Sequence, residues 1–294
     1  MKSKIRVALL TLCLLPATVF AIYYLLWGIA LLDRPSRIAQ SFNVRHGIEY
    51  QKIIWEKPRD VVWHILLIDV EKYEIITTAK NADSELDTLA TTTSNFAKTY
   101  NTVVAVNGSY FEPFHMNHYF DFYPREGDPV NILGRCKSQG KVFSNDHPEF
   151  PVLSYNGERV SIFEGDIPNE EVAYLAGHQV LVRDQVNVWD SKLDENLYPR
   201  VAVGTLDQGK TLCILVVDGK QRGYSAGVTF SELADMLVLQ GVQHGIALDG
   251  GGSTTLVIQN ESGELYTANA PYHTRFPMRE RPVANHLGIR MKRN

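Results

Sequence analysis

The chain has 294 residues, 45% of them hydrophobic, and a formal net charge of −4 at pH 7, which suits an N-terminal segment followed by one large domain. Residues 1–44 hold five basic side chains and one acidic, so the remainder stands near −8. Bulk charge of that sign excludes nucleic acid or an anionic surface as a partner. Of three cysteines, Cys13 falls in an apolar run and leaves Cys136 and Cys213, with no CxxC or His/Cys cluster, so neither a disulfide framework nor structural zinc is expected.

In chain order, Lys2, Lys4 and Arg6 precede an uncharged, mostly apolar run from Val7 to Leu32. That length crosses a bilayer as a helix, and the positive-inside rule places the rest outside the cytoplasm. The run reads as an uncleaved membrane anchor over residues 1–34. A signal peptide cut after Val19-Phe20-Ala21, with Pro16 interrupting the run, is the alternative and gives a secreted product. Residues 35–48 read as a polar tether and 49–292 as the domain.

Two apolar runs, Val61–Ile68 and Tyr73–Thr78, flank Asp69-Val70-Glu71-Lys72 and suggest a hairpin; His64 on the first reads as a packing residue. Thr88–Tyr100 reads as a helix. Val103–Val106 is a short buried strand running into Asn107-Gly108-Ser109-Tyr110-Phe111, where a sharp turn leaves Gly108 free to take a positive φ. Residues 112–150 show little periodicity but carry His115, His118, Tyr119, Phe120 and Tyr123. A long stretch of that kind reads as an aromatic lid over a sugar site. No third ligand accompanies the two histidines at a telling spacing, so no metal is assigned and no cofactor is required. A divalent ion is possible, though the spacing does not demand it.

Further strands follow over Val152–Phe163, Gln179–Arg183 and Asn196–Gly204, the last bringing in Arg200 as a hairpin partner of the next. The most informative stretch is Thr211–Ile258. A strand ends in Asp218-Gly219, and a helix opens at Thr229 with Glu232 three residues on, a capping box. A second strand, Ile246-Ala247-Leu248, ends in Asp249-Gly250-Gly251-Gly252. A strand–helix–strand unit of this length makes a crossover with its strands parallel, which brings both aspartates to one carboxyl edge, where open sheets hold ligands. The expected fold is a single α+β domain, a mixed β-sheet flanked by helices, behind an N-terminal membrane helix.

At such an edge Asp218 and Asp249 are candidate nucleophile and base, and Arg200 is a candidate for holding phosphate bidentately. The N–H groups of Gly250, Gly251 and Gly252, free of side chains, can form an anion-binding nest, with Ser253 and Thr254 adding hydroxyls. Asn107 and Asn285 are amides suited to sugar hydroxyls. Each has a plainer reading as a turn or a strand-end bond, and Arg222 as a solvated loop charge.

Asn107-Gly-Ser-Tyr-Phe, Pro199-Arg200-Val-Ala-Val-Gly, Val217-Asp218-Gly, Gly227-Val-Thr229, Leu248-Asp249-Gly-Gly-Gly-Ser-Thr and Arg281-Pro-Val-Ala-Asn285 occur in one order. That series, over about residues 48–290, resembles the phosphodiester glycosidase family, departing from it at Ser109, where the family pattern has glycine. The resemblance implies an exported hydrolase that cleaves the glycosidic bond of a sugar-1-phosphodiester on a glycoconjugate or envelope polysaccharide. It also implies a site that includes Gly108, Tyr110, Phe111, Arg222 and Thr229 beside the residues above. The alternative is a non-catalytic glycan-binding or envelope polysaccharide assembly module using the same cleft. A sugar-kinase reading of the Asp-Gly-Gly-Gly-Ser-Thr turn needs ATP and a second phosphate loop, which the sequence lacks.

Overall fold

Residues Leu212–Val217 are apolar without a break because both faces of their strand are covered. The computed structural model describes residues 2–81, 83–190 and 196–292, the side chains of 2–16 excepted. The elements that place the site are, in chain order, helix α1 (Lys2–Leu32), strand β1 (Val61–Asp69), helix α2 (Thr93–Tyr100), strands β2 (Val104–Asn107), β3 (Arg200–Leu206) and β4 (Thr211–Val217), helix α3 (Phe230–Leu239), and strands β5 (His244–Ala247), β6 (Leu256–Gln259) and β7 (His286–Met291).

The largest sheet has eight strands, with β1, β4, β3 and β5 adjacent in that order at its centre. A second, five-stranded sheet centres on β6, β2 and β7, and another five-stranded sheet is built from residues 135–176. Every strand-to-strand pairing in these sheets is antiparallel. Among the described residues there are 25 strands and three α-helices, so the expected α+β architecture of a mixed sheet flanked by helices is corrected to a β-rich, multi-sheet fold. The physical reason lies in β3. It inserts between β4 and β5 and pairs antiparallel with both, so the two strands of the crossover run the same way without touching.

Alternation along β4 shows how the layers meet. Cys213, Leu215 and Val217 face α3, whose Phe230, Leu233 and Leu237 are buried against them. Leu212, Ile214 and Val216 face the opposite way, into a core shared with Val104, Leu256 and Ile289 of the second sheet. This period-2 division buries every side chain of the run Leu212–Val217, the aliphatic ones worth about 1.5–3 kcal/mol each. Helix α3 begins with the capping box anticipated at Thr229 and Glu232 and stops before Gly241, which sits at φ +77°. Helix α2 is capped by Thr92 and lays Phe96 and Ala97 on Ile76, Ala105 and Val257. It is shorter than expected, because Thr88–Leu89 is spent on a strand.

Among the described residues no helix is long and apolar enough to cross a membrane. The expected membrane helix is corrected accordingly, and the expected partnership with a membrane is without support among the described residues. The C-terminal turns of α1 meet the domain instead: the Tyr23 ring lies 5.3 Å from Tyr119 and 5.9 Å from Phe276, and Trp27 Nε1 donates to the Arg275 carbonyl at 3.2 Å. The side chains of Lys2, Lys4, Arg6, Cys13 and Pro16 lie outside the described residues. Gln40–Arg45, inside the stretch read as a tether, forms the edge strand of the large sheet. Cys136 and Cys213 are buried free thiols, and burial pushes both up to about 12.

Candidate active site

Because β4 and β5 run parallel on either side of β3, the loops carrying Asp218 and Asp249 leave the sheet at one edge, the edge where β3 begins with Arg200 opposite Val217. Two strand spacings separate β4 from β5, roughly 10 Å at the backbone. The two aspartates therefore share an edge but have separate neighbourhoods.

Asp218 is enclosed. Its side chain has no exposure. Oδ1 accepts from Asn269 Nδ2 at 3.0 Å and from the Ala270 N–H at 2.8 Å, and Oδ2 lies 3.2 Å from His64 Nε2. His64 Nδ1 is in turn 2.8 Å from the Tyr50 hydroxyl, and burial raises the Tyr50 phenol well above its ordinary value. Asn269 also donates to the Thr254 carbonyl and accepts from the Leu256 N–H, so this network tethers the glycine loop that follows Asp249.

Asp249 faces a cavity. Its loop is pinned from below: Asn107 Nδ2 donates to the Asp249 carbonyl at 2.7 Å and Asn107 Oδ1 accepts from the Thr255 N–H at 3.1 Å. The Asp249 N–H donates to the Gly108 carbonyl at 2.9 Å. Asn285 Oδ1 accepts from the Ser109 N–H at 2.7 Å, and Ser109 Oγ donates to the Ala176 carbonyl. Gly108 is required by close approach rather than by a positive φ, since a Cβ there would stand 2.5 Å from Asn285 Oδ1. The buried amides Asn107 and Asn285 thus hold backbone.

The glycines also differ from a free nest. The N–H of Gly250 donates to Asp249 Oδ1 at 2.9 Å, and that of Gly251 to the Pro199 carbonyl at 2.9 Å. Those of Ser253 and Thr254 close turns onto Gly250 and Gly251. What the glycines provide is room. A Cβ on Gly250 would lie 2.7 Å from the Pro199 carbonyl oxygen, and one on Gly252 only 2.4 Å from Arg281 Nη2. Thr254 Oγ1 is buried without a partner among the described residues.

The cation over this loop is Arg281, 9% exposed. Its Nη1 donates to Ser253 Oγ at 3.1 Å and its Nε to His273 Nδ1 at 3.2 Å, and its guanidinium lies 4.4 Å from the Phe114 ring centroid. Accepting at Nδ1 leaves the His273 proton on Nε2. Burial and the neighbouring Arg281 and Arg279 charges push His273 down to about 3, so it stays neutral. Arg200, 7% exposed, donates to the Val228 and Asn196 carbonyls and rests 3.7 Å from the Phe230 ring centroid. Asp249 is raised from 3.8 to about 6 by burial, with Arg281, Ser253 and the Gly250 N–H pulling the other way.

Two adjoining cavities meet over the loop and share Phe114, Tyr198, Gly251 and Arg281. The inner one, about 340 Å³, is walled by Tyr110, Phe111 and Arg200, with Asp249 its only carboxyl among the described residues. The outer one, about 540 Å³, adds Met116, Tyr272, Lys220 and Arg275 and, among the described residues, has no carboxyl. Such a groove, apolar with a few convergent polar groups, is the form a small-molecule site takes.

The family model for phosphodiester glycosidase matches residues 100–290, which takes in both cavities' loops. The chain belongs to the phosphodiester glycosidase family. Among solved structures, the catalytic domain of zebrafish N-acetylglucosamine-1-phosphodiester alpha-N-acetylglucosaminidase, auto-inhibited by its pro-peptide, aligns with a TM-score of 0.60 at 20% identity, over 90% of this chain and 93% of that one. A hypothetical protein from Synechocystis aligns with a TM-score of 0.60 at 13% identity, over 88% and 64% of the two chains. A putative exported protein from Burkholderia pseudomallei K96243 aligns at 0.58 and 12%, over 79% and 74%. No curated protein matches.

In this member of the family, Tyr110, Phe111, Arg200, Asp249, Gly250 and Gly251 come together on the inner cavity, and Gly252 joins on the outer. Ser253 supports Arg281 from the loop. Arg222 lies elsewhere, on a surface hollow with Arg59 and Glu56, and Thr229 caps α3. Asp218 lines neither cavity. Arg281, Phe114, Tyr198 and His273 are the residues that sequence reasoning passed over. Arg281 stood inside the Arg281-Pro-Val-Ala-Asn285 motif, and a charged residue leading a buried apolar run was the available signal. Among the described residues no three His, Cys, Asp or Glu side chains are grouped to hold a metal ion; exposed His115 instead pairs with Asp121 at 3.2 Å.

Proposed function

We propose that the protein hydrolyses the glycosidic bond of a sugar-1-phosphodiester, with the sugar in the inner cavity and the phosphate under Arg281. The observation that carries the reading is Asp249, the one cavity carboxyl among the described residues, raised to about 6 beside a buried arginine that is locked in place. A group with that value is ionised at neutral pH yet basic enough to take a proton, the range suited to a general base.

The chemistry then follows from the leaving group. A phosphate monoester departs without protonation, so a second carboxylic acid is not needed. Asp249 takes a proton from water as the water oxygen bonds to the anomeric carbon. The bond from that carbon to the phosphate oxygen breaks, its electron pair goes to phosphate, and Arg281 meets the growing charge. Phe114, Phe111 and Tyr110 offer apolar faces for the sugar ring. Attack by a water held on one side of the ring inverts the anomeric centre.

The basic residues before the apolar N-terminal run and the description of the Burkholderia neighbour as a putative exported protein support action outside the cytoplasm. The test is release of free sugar from a panel of sugar-1-phosphodiesters, with anomeric configuration followed by proton NMR. Inverted product is expected. Retained product transfers Asp249 to the role of nucleophile, and ligand binding without any turnover removes the hydrolase reading in favour of a glycan-binding module.

A further inference from the structure

The outer cavity carries more positive charge than a phosphodiester can use. A diester bears one negative charge, and Arg281 sits where the two cavities join to meet it. Beyond that junction the wall adds Lys220 and Arg275 and, among the described residues, no carboxyl. Neither of these two side chains forms an ion pair within the described residues. This is a local excess of two cations on a domain whose net charge is near −8, so general surface composition does not account for it.

Both cations are set by the backbone. Lys220 and Arg275 each occupy left-handed φ, at 57° and 61°, as does neighbouring Thr274 at 53°. Such conformations are uncommon for residues with side chains and persist where surroundings impose them. Lys220 Nζ lies 3.9 Å from the Tyr198 ring centroid, which holds it along the cavity wall, and the Arg275 carbonyl is fixed by Trp27 of α1. The remaining wall, with Phe114, Met116, Tyr198 and Tyr272, is apolar or aromatic.

Resting on the hydrolase reading of the same site, we propose that the outer cavity is an aglycone subsite for a second anionic group, so that the preferred substrate is a sugar-1-phosphodiester whose aglycone bears a further phosphate. A phosphate monoester carries a charge of about −1.5 to −2 at pH 7, which matches Lys220 and Arg275 together. Both side chains are exposed, so each contact is modest. The pair together gives about a tenfold preference that weakens as salt rises.

The test separates the subsite from the reaction by using sugar-free probes. Binding of methyl phosphate and of ethanediol bisphosphate is measured by calorimetry on the full chain at low and high salt. The bisphosphate is expected to bind about tenfold tighter at low salt. In a Lys220→Met/Arg275→Gln variant, with an unchanged melting temperature, that preference disappears. Equal binding of the two probes, binding of neither, or a preference that survives the double substitution overturns the proposal. Turnover is read in parallel on N-acetylglucosamine-1-phosphodiesters with methyl or 2-phosphoethyl aglycones. In the double variant KM is expected to rise for the second substrate alone, with kcat unchanged. Absence of turnover on both fails the hydrolase reading and leaves the binding preference to decide the subsite.

Discussion

The corners around Asp218 and Asp249 begin alike. Each aspartate follows an apolar strand, each precedes glycine, and both loops leave one sheet edge. Asp218 is then met by Asn269, the Ala270 N–H and His64, while Asp249 is met by its own loop and left facing a cavity. A carboxylate ringed by donors has its oxygens committed to hydrogen bonds and becomes part of the scaffold. One buried against aromatic walls with few donors is held closer to neutrality and keeps its basicity. The difference comes from partners contributed by distant parts of the chain.

Replacing the two aspartates in turn breaks the comparison most directly. Asp249→Asn is expected to lower kcat by at least about a thousandfold, since it removes the proton acceptor. It should also stabilise the protein. Folding raises this carboxyl from 3.8 to about 6, so its neutral form favours the folded state below pH 4, and that advantage is lost as pH rises through 6. At pH 7.5 the cost of holding the charged form is about 3 kcal/mol, and chemical denaturation should show the asparagine variant more stable by up to that amount. A variant that is inactive and no more stable would show that Asp249 is not strained by burial.

Asp218→Ala should do the reverse. It leaves buried donors on Asn269 and Ala270 unpaired and costs about 3–5 kcal/mol of stability. Asp218→Asn, which keeps the shape and one acceptor, should retain kcat within about tenfold in whatever fraction stays folded. Loss of turnover in a fully stable Asp218→Asn would place Asp218 in the chemistry after all. The pH–rate profile sharpens the same contrast: kcat/KM should fall about tenfold per unit below pH 6, as Asp249 takes up its proton.

Gly252→Ala probes the arginine instead of the acids. Its methyl group would stand 2.4 Å from Arg281 Nη2, so the guanidinium must shift, and kcat/KM should drop about ten- to a hundredfold with the melting temperature nearly unchanged. The smallest effect is on acid stability. His273 and His286 are both pushed down to about 3 by burial, so their contribution is whole above pH 6.5 and is lost as pH falls from 6.5 toward 3. His286→Gln should flatten that decline in a pH series of melting curves.

Much of this was legible in local pattern. The capping box of α3, the strand before Asp218, the hairpin of Arg200 with that strand, and the shared edge of the two aspartates all rest on short-range signals that the structure reproduces. What could not be read was pairing. Nothing in residues 211–258 says that β3 will stand between β4 and β5, and that one insertion turns an expected α/β crossover into part of an antiparallel sheet. The fates of Asp218 and Asp249 were hidden for the same reason, since His64 and Asn269 lie 154 and 51 residues from Asp218. Gly108 was expected to use a positive φ and does not; what demands glycine there is the close approach of the Asn285 amide.

Strand β3 has one more effect. Standing between the strands that lead to the two acids, it leaves Asn269 as the bridge between the corners, bonded to Asp218 Oδ1 and to the Thr254 carbonyl of the glycine loop alike, so substitutions at Asp218 and in that loop should couple rather than add. Hardening the scaffold corner therefore also stiffens or shifts the reactive one, because a single amide side chain carries the strain from one to the other.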